Sequence, residues 1–331
     1  MSWYNEAGSN DAVVVSTRVR LARNIEGFPF PTGMNAEEGA KVIAATNHAL
    51  ENCGFELYET EKIPHIRQQS LLEKHLISPA LIGGGLPRAV FVNGDETMAI
   101  MVNEEDHLRI QCIIAGFEPQ KAYNIANDMD DYLTKNLKFQ FHEKYGYLTS
   151  CPTNTGTGMR ISSMLHLPAI ALSGGVQSLL SQSAAAGMTV RGLFGEGSNA
   201  SGNFFQVSNQ ITLGLDEEEI TKRFVSLVSA IETAECGLRE QLSQNIPPKL
   251  VDKITRAYGV MANAHMISSG ELINLISDVR LGLYLGIIKD IEYKKLTELM
   301  VVTAPASIGC DGADNRDIKR AKMVSEMIKK G

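Results

Sequence analysis

Residues 101–112 read Met-Val-Asn-Glu-Glu-Asp-His-Leu-Arg-Ile-Gln-Cys. With a period of two, Glu105, His107, Arg109 and Gln111 point one way and Leu108, Ile110 and Cys112 the other, the pattern of a strand with one apolar and one reactive face. A carboxylate and a guanidinium four residues apart on that face can hold the cationic and anionic ends of a polar substrate. An exposed face laced with cross-paired ions would carry the same residues. Other stretches supply matching parts. Arg18 and Arg20 share one face of a β-branched run over residues 12–21, Arg160 ends the small-residue loop 151–160, and Arg191 lies in a strand-like run over 188–193, five residues before Glu196. Arg18, Arg20, Arg109, Arg160 and Arg191 together suit a nucleoside triphosphate, because a guanidinium binds phosphate oxygens bidentately and stays charged. Phosphoryl transfer asks for little more than fixed cations, Mg²⁺ and alignment, which leaves Glu105 and Glu196 to serve the acceptor.

The elements that must position these residues read as α+β. Runs at 89–92 and 98–102 flank Asn93-Gly94-Asp95, a hairpin signal, so the sheet is expected to be antiparallel rather than doubly wound and parallel. Further strands are expected at 139–148 and 204–213, and helices at 36–51, 119–137 and 175–186. The glycines of the 151–160 loop would let backbone approach a ligand closely, and its threonines offer hydroxyls. Residues 197–202, Gly-Ser-Asn-Ala-Ser-Gly, read as a flexible loop. A long helix capped by Asp216 runs to about Ser243, and Asn245-Ile-Pro-Pro248 stops it. The expected division is therefore a catalytic region over 1–245 and an all-helical region over 246–331, with a Gly/Asp-rich break at 309–314 before a final basic helix.

Composition narrows the class. The 331 residues are 44% hydrophobic and 21% charged, a globular balance with no apolar run long enough to span a bilayer. The start, Met-Ser-Trp-Tyr-Asn-Glu, is not that of a secretory signal, so cytoplasm is the default compartment. The five cysteines lack metal-binding spacing, and the net charge of −7 argues against bulk nucleic-acid binding. No Walker A, kinase Gly-rich loop or dinucleotide fingerprint is present.

Four stretches, in order, resemble the consecutive motifs of the guanidino (phosphagen) kinases: Ser16-Thr-Arg-Val-Arg20, Asn103-Glu-Glu-Asp-His-Leu-Arg109, Cys151-Pro-Thr-Asn-x-Gly-Thr157 with Arg160, and Arg191-Gly-x-x-Gly-Glu196. The resemblance implies a glutamine-synthetase-like core, an antiparallel sheet flanked by helices. It implies ATP contacts at Ser16, Thr17, Arg18, Val19, Arg20, His75, Arg109, Arg160, Ile161, Ser162, Ser163, Met164, Arg191, Gly192, Leu193, Phe194, Gly195 and Glu196. It also implies that Glu105 and Glu196 grip the guanidinium, with Glu105 as base and Cys151 beside the acceptor, and that Mg²⁺ arrives with the nucleotide. A guanidinium, protonated far above neutral pH, is a poor nucleophile until carboxylates orient it and accept its proton.

In the small-molecule members a helical domain of about a hundred residues precedes the first arginine motif, which here begins at Ser16. That difference, and the added helical region, are similar to the bacterial protein arginine kinases of the McsB family, which act on arginine side chains in proteins marked for a Clp ATPase-protease. Arg316-Asp-Ile-Lys-Arg-Ala321 matches that family's motif for an allosteric phosphoarginine pocket, with Arg316, Asp317 and Arg320 as its residues. By resemblance a homodimer and an activator protein are expected, with no membrane or nucleic-acid partner. A small-molecule guanidino kinase and a catalytically silent phosphoarginine-binding adaptor are the rival readings.

Overall fold

A computed structural model describes residues 2–192, 201–310 and 312–329. Its centre is an antiparallel sheet of eight strands: β1 (Val14–Arg23), β2 (Phe55–Glu59), β3 (Ala89–Asn93), β4 (Met98–Val102), β5 (Leu108–Ala115), β8 (Met159–His166), β9 (Met188–Gly192) and β10 (Phe204–Asn209). β6 (Phe141–His142) and β7 (Gly146–Tyr147) form a separate short ribbon. The strand order is β2-β3-β4-β5-β1-β8-β10-β9, which puts β1 near the middle, between β5 and β8.

Strand alternation divides the sheet chemically. On one face Val19, Leu21, Ile110, Cys112, Ile161, Leu165, Phe205 and Val207 are buried in the main core. That core is closed by helices α1 (Ala36–Ala49), α3 (Pro119–Leu133) and α6 (Glu217–Gln244). The register places Arg18 opposite Ser162, Arg20 opposite Arg160 and Gln111, and Gln206 opposite Arg191, all on the other face. One end of this polar face is covered by α2 (His65–Glu73) and the chain after it, where Leu71, Leu76, Ile77 and Leu81 pack on Val90, Val92, Ala99 and Met101. The opposite end is covered by helices beyond Pro247. The arginines lie between the two covers.

Local signals set the helix ends. Asn35 and Glu38 form a reciprocal capping box at α1, and Asp216 Oδ1 accepts from Glu219 N–H at 2.7 Å at α6. After α6 the chain breaks over 245–247, and α7 (Pro248–Asn263) starts with proline at its first position, where no amide donor is needed. α8 (Ser269–Tyr284), α9 (Tyr293–Val302) and α11 (Ala313–Lys329) follow, with the single-turn α10 (Pro305–Ile308) between the last two. α4 (Pro168–Leu172) and α5 (Val176–Ala185) connect β8 to β9.

Three expected strands differ in extent. β5 begins only at Leu108, because Asn103 adopts a left-handed φ of 57° and its N–H closes a tight loop onto the His107 carbonyl at 3.0 Å. Residues 139–148 contribute only the β6–β7 ribbon, turned at Gly146. β10 stops at Asn209, whose side chain takes the place of the next ladder rung by accepting from Ile161 N–H and donating to the Met159 and Ile211 carbonyls.

The C-terminal helices share a core with the sheet: Val15 and Phe204 join Ile254, Met261, Ile276, Leu296 and Val324. A buried polar network seals the junction. Glu235 accepts from the Ala169 and Ile170 amides and from Arg239 Nε at 2.7 Å, while Arg239 donates to the Ala12 and His166 carbonyls. His166 hydrogen-bonds Ser277 at 2.8 Å. Burial, then Arg239 and Arg280, push the His166 imidazole well below its ordinary pKa, so it is neutral. Removing one partner of such a buried pair strands the other charge. Arg239→Ala is expected to lower unfolding free energy by about 3–5 kcal/mol, read as a shifted urea midpoint.

Candidate active site

Four arginines, with Gln206 and Ser208, line a polar cavity of about 110 Å³ on the open face of the sheet: Arg18 and Arg20 from β1, Arg160 from β8 and Arg191 from β9. Arg160 Nη2 donates to Ser208 Oγ at 3.0 Å. The Nε atoms of Arg18, Arg20 and Arg160 are buried without a hydrogen-bond partner. Burial, then Arg109 and Arg160, push the Arg18 guanidinium down to about 10, and burial, then Arg18, Arg109 and Arg160, push Arg20 well below its ordinary value. Arg160 is lowered by burial and by Arg191 and Arg109. Two like charges at the ~5 Å spacing of adjacent strands repel by ~3 kcal/mol at an effective dielectric of ~20. A cluster built this way is complementary to a polyanion, and its unpaired donors match phosphate oxygens.

Arg109, on β5, is held differently. Its Nη1 donates to both oxygens of Glu104, at 2.7 and 2.6 Å, and Glu104 also accepts from Ser78 Oγ. Burial pushes the Glu104 carboxyl up, but Arg109 and Ser78 outweigh it and hold the group below its usual range. Sequence alternation did not single out Glu104, because it sits in the loop before β5.

The same loop carries Glu105, whose position departs from the expected strand. Glu105 is exposed at a loop tip, and Asn154 Nδ2 approaches its Oε2 at 3.4 Å. His107 does not share its direction: it is buried, with Nδ1 accepting from Ile25 N–H and Nε2 facing the Pro29 carbonyl at 2.8 Å. Asp106 Oδ1 accepts from Asn24 Nδ2 and Ser150 N–H, both at 2.7 Å, and Asn24 Nδ2 also donates to the Leu148 carbonyl. These bonds fasten the Glu105 loop to the loop carrying Cys151 and Asn154. Cys151 is half-buried there, its Sγ 3.0 Å from Thr153 Oγ1.

The glycines of that loop approach protein backbone, not an open ligand space. Gly156 has φ 116°, and a Cβ there would lie 2.1 Å from the Thr212 carbonyl oxygen; at Gly158, φ 63°, it would lie 2.6 Å from that of Ala22. Thr212 Oγ1 donates to the Thr153 and Thr155 carbonyls, pinning the loop from below.

His75 occupies the left-handed position that ends α2. Its N–H reaches the Leu72 carbonyl and the Leu76 N–H reaches that of Leu71, a Schellman closure in which glycine is the usual residue, here with φ 61° at histidine. A non-glycine residue pays for that conformation, which directs attention to its side chain. Trp3 backs it, with ring centroids 6.1 Å apart and Nε1 donating to the Lys74 carbonyl, while Gln111 Nε2 donates to the His75 carbonyl at 2.7 Å. Burial and nearby Arg18 push the imidazole down to about 4.

Of the other residues singled out, Ser16, Ser162 and Met164 lie on the arginine face by register, and Gly192 ends β9. Thr17, Val19, Ile161 and Ser163 stand at odd positions on β1 and β8, which turn their side chains into the main core, where Thr17 Oγ1 donates to the Gly116 carbonyl at 2.6 Å. Leu193, Phe194, Gly195 and Glu196 lie outside the described residues, as do 197–200 of the expected flexible loop. Arg320 is 1% exposed and donates to the Thr303 and Ile267 carbonyls and to Asp317 Oδ1, so its guanidinium joins α11 to the α9–α10 and α7–α8 connections. Arg316 is half-buried. Among the described residues no group of three or more His, Cys, Asp or Glu could hold a metal ion, and no helix is long and apolar enough to cross a membrane.

An antiparallel sheet carrying a cationic phosphate-type cradle, with a carboxylate and a thiol on the adjoining loops, defines a phosphotransferase core, and the comparisons specify which. The ATP:guanido phosphotransferase C-terminal catalytic domain matches residues 38–238, and the protein-arginine kinase McsB C-terminal domain matches 247–331. The chain is 42% identical to the protein-arginine kinase of Moorella thermoacetica over 98% of its own length and 97% of that protein. It is 43% identical to that of Syntrophomonas wolfei over 100% and 96%. Lombricine kinase superposes with a TM-score of 0.64 at 21% identity, covering 73% of this chain and 71% of that one. The duplicated taurocyamine kinase of Schistosoma mansoni, with transition state analog components bound, gives 0.64 at 23%, covering 82% and 46%. At those identities the two structures share the fold. The chain belongs to the protein-arginine kinase family.

Two outcomes are expected of the site. In NMR titration without nucleotide the His75 imidazole should titrate near 4, and a bound triphosphate analogue should raise that value by neutralising Arg18. The depressed value favours the folded chain above the unfolded pKa of ~6.5 and is lost as pH falls toward 4. Arg320→Ala should lower unfolding free energy by about 2–4 kcal/mol in urea, because two buried carbonyls and the half-buried Asp317 carboxylate lose their donor.

Proposed function

We propose that this chain transfers the γ-phosphoryl group of Mg·ATP to arginine side chains of proteins. The observation that carries the reading is the set of buried, unpartnered Nε atoms on Arg18, Arg20 and Arg160, which calls for a multiply charged anion, beside a loop whose carboxylate stands exposed. Membership of the protein-arginine kinase family supplies the acceptor class. Arg18, Arg20, Arg160 and Arg191 would bind the triphosphate, with Arg109 aligned by Glu104. Mg²⁺ would come with the nucleotide and, when bound, would supply neutralisation of phosphate charge.

At the acceptor end Glu105 orients the guanidinium through charge-assisted hydrogen bonds and takes its proton as the Nη–P bond forms and the bond to the β–γ bridging oxygen breaks, releasing ADP. Glu196 is assigned the second carboxylate by its motif, and Cys151 the flank of the guanidinium. The family resemblance further supports a role in bacterial protein quality control and stress response, with a homodimer, an activator protein and a Clp ATPase-protease as partners.

The test offers Mg·ATP with an unfolded arginine-rich protein and, separately, free arginine, followed by mass spectrometry under conditions that preserve acid-labile N–P bonds. Phosphoarginine on the protein is the expected product; phosphorylation of free arginine at equal efficiency would replace the reading with a small-molecule kinase. Glu105→Gln should reduce kcat by at least ~10²-fold with nucleotide affinity within about twofold of wild type. Arg18→Ala should weaken nucleotide binding at least ~10-fold by calorimetry, the size expected for losing a charge-assisted bond.

A further inference from the structure

Eight large hydrophobic side chains stand exposed among the described residues, and three of them, Phe141 (58%), Tyr145 (44%) and Leu213 (50%), line one cavity of about 260 Å³. A fourth, Ile211, lies two residues from Leu213 in the same segment. The β6–β7 ribbon forms one wall, where the Phe141 and Tyr147 rings meet edge to face at 5.2 Å. Leu213 and Leu215 form the other, and the Gly156–Thr157 backbone lies between them.

That backbone belongs to the loop that reaches the acceptor carboxylate. Gly156 is two residues from Asn154, whose side chain approaches Glu105, and the bridge between Tyr147 and Gly156 ties ribbon to loop. Two residues of chain span at most ~7 Å, so the Gly156 side of the cavity lies within about two to four extended residues, at ~3.3 Å each, of the Asn154–Glu105 contact. The cavity therefore continues the acceptor site outward. At its rim stand Asp216 and Glu217 against one base, Lys144, while Glu218 and Glu219, next in sequence, are already paired with Lys222 and Arg223 at 2.7 Å each. A segment bearing arginine is cationic, so the rim charge suits it, while the aromatic walls suit an aromatic or large aliphatic neighbour.

We infer that this groove docks an extended segment of the substrate polypeptide, receiving an aromatic or large aliphatic side chain about two to four residues from the target arginine. The inference rests on the arginine-kinase reading and deepens it: it selects chains whose apolar side chains are exposed beside arginine, the condition of an unfolded protein. Free arginine, having no such neighbour, gains nothing from the groove.

The test uses two labelled peptides with a single arginine, identical except for Phe or Ala three residues away, and the full chain as wild type and as the variants Phe141→Ser, Tyr145→Ser and Leu213→Ser. These side chains are exposed and make no contact with the arginine cluster. Wild type should show KM about tenfold lower for the Phe peptide with similar kcat, and the same preference in binding by fluorescence anisotropy. The variants should erase the preference while leaving KM for ATP and all constants for the Ala peptide unchanged. A preference that survives in all three variants, or none in wild type, would overturn the inference. Failure to phosphorylate either peptide would count against the kinase reading alone, since anisotropy decides the groove separately. Variants that dissociate an oligomer in sedimentation yet keep the peptide preference would make the groove a contact between copies and also overturn it.

Discussion

Mutual repulsion among arginines on one sheet face is the constraint around which the molecule is arranged. Arg18, Arg20 and Arg160 sit on neighbouring strands with buried Nε atoms left unpaired, a state that costs free energy in the absence of an anion. The opposite face supplies the compensating burial: the same strands send Val19, Leu21, Ile161 and Leu165 into the main core against α1, α3 and α6. Because side chains alternate with a period of two, the apolar and cationic sets cannot be exchanged without slipping the register of β1 against both of its neighbours. A third arginine on β1 shows the rule by its parity. Arg23 turns to the core side and is neutralised by Asp130 at 2.7 Å, with its guanidinium 3.5 Å above the Tyr147 ring.

Around that cradle the polar loops are held by hydrogen bonds rather than by regular structure. Asn24 and Asp106 join the loop bearing Glu105 to the loop bearing Cys151, while Thr212 fixes the latter at two carbonyls. Glu105 and Cys151 thus stand on loops whose backbone is anchored by buried side chains. The exposed carboxylate of Glu105 and the nearly buried carboxylate of Glu104 are adjacent in sequence, yet they serve opposite sides of the site: Glu104 aligns Arg109, and Glu105 faces outward.

The helical region is continuous with this arrangement. Its core includes Val15 and Phe204, and Glu73 at the end of α2 accepts from the Ala306 and Ser307 amides at 2.7 and 2.9 Å, two residues before His75. Arg320 in turn holds Thr303, just ahead of those amides. The position of His75 over the cradle is therefore supported through α10 and α11 as well as by Trp3.

The sequence by itself determined the alternation that puts Arg18 and Arg20 on one face, the β3–β4 hairpin, the Asp216 cap and the Asn245–Pro248 break, because these depend on spacing and on single-residue backbone preferences. It also carried the ordered motifs from which the family was legible. Only the tertiary structure decided which polar residues were already spoken for. His107 looks available in sequence but is held by amide and carbonyl partners far along the chain, Arg320 bridges two carbonyls, and the side chains of Thr17 and Ser163 face the core. Gln206, Ser208, Glu104 and Asp106 join the site through partners that are distant in sequence or lie in loops where no periodicity applies. Hydrogen-bond satisfaction is a property of three-dimensional neighbours, so residue type and spacing propose a site, and packing selects its members.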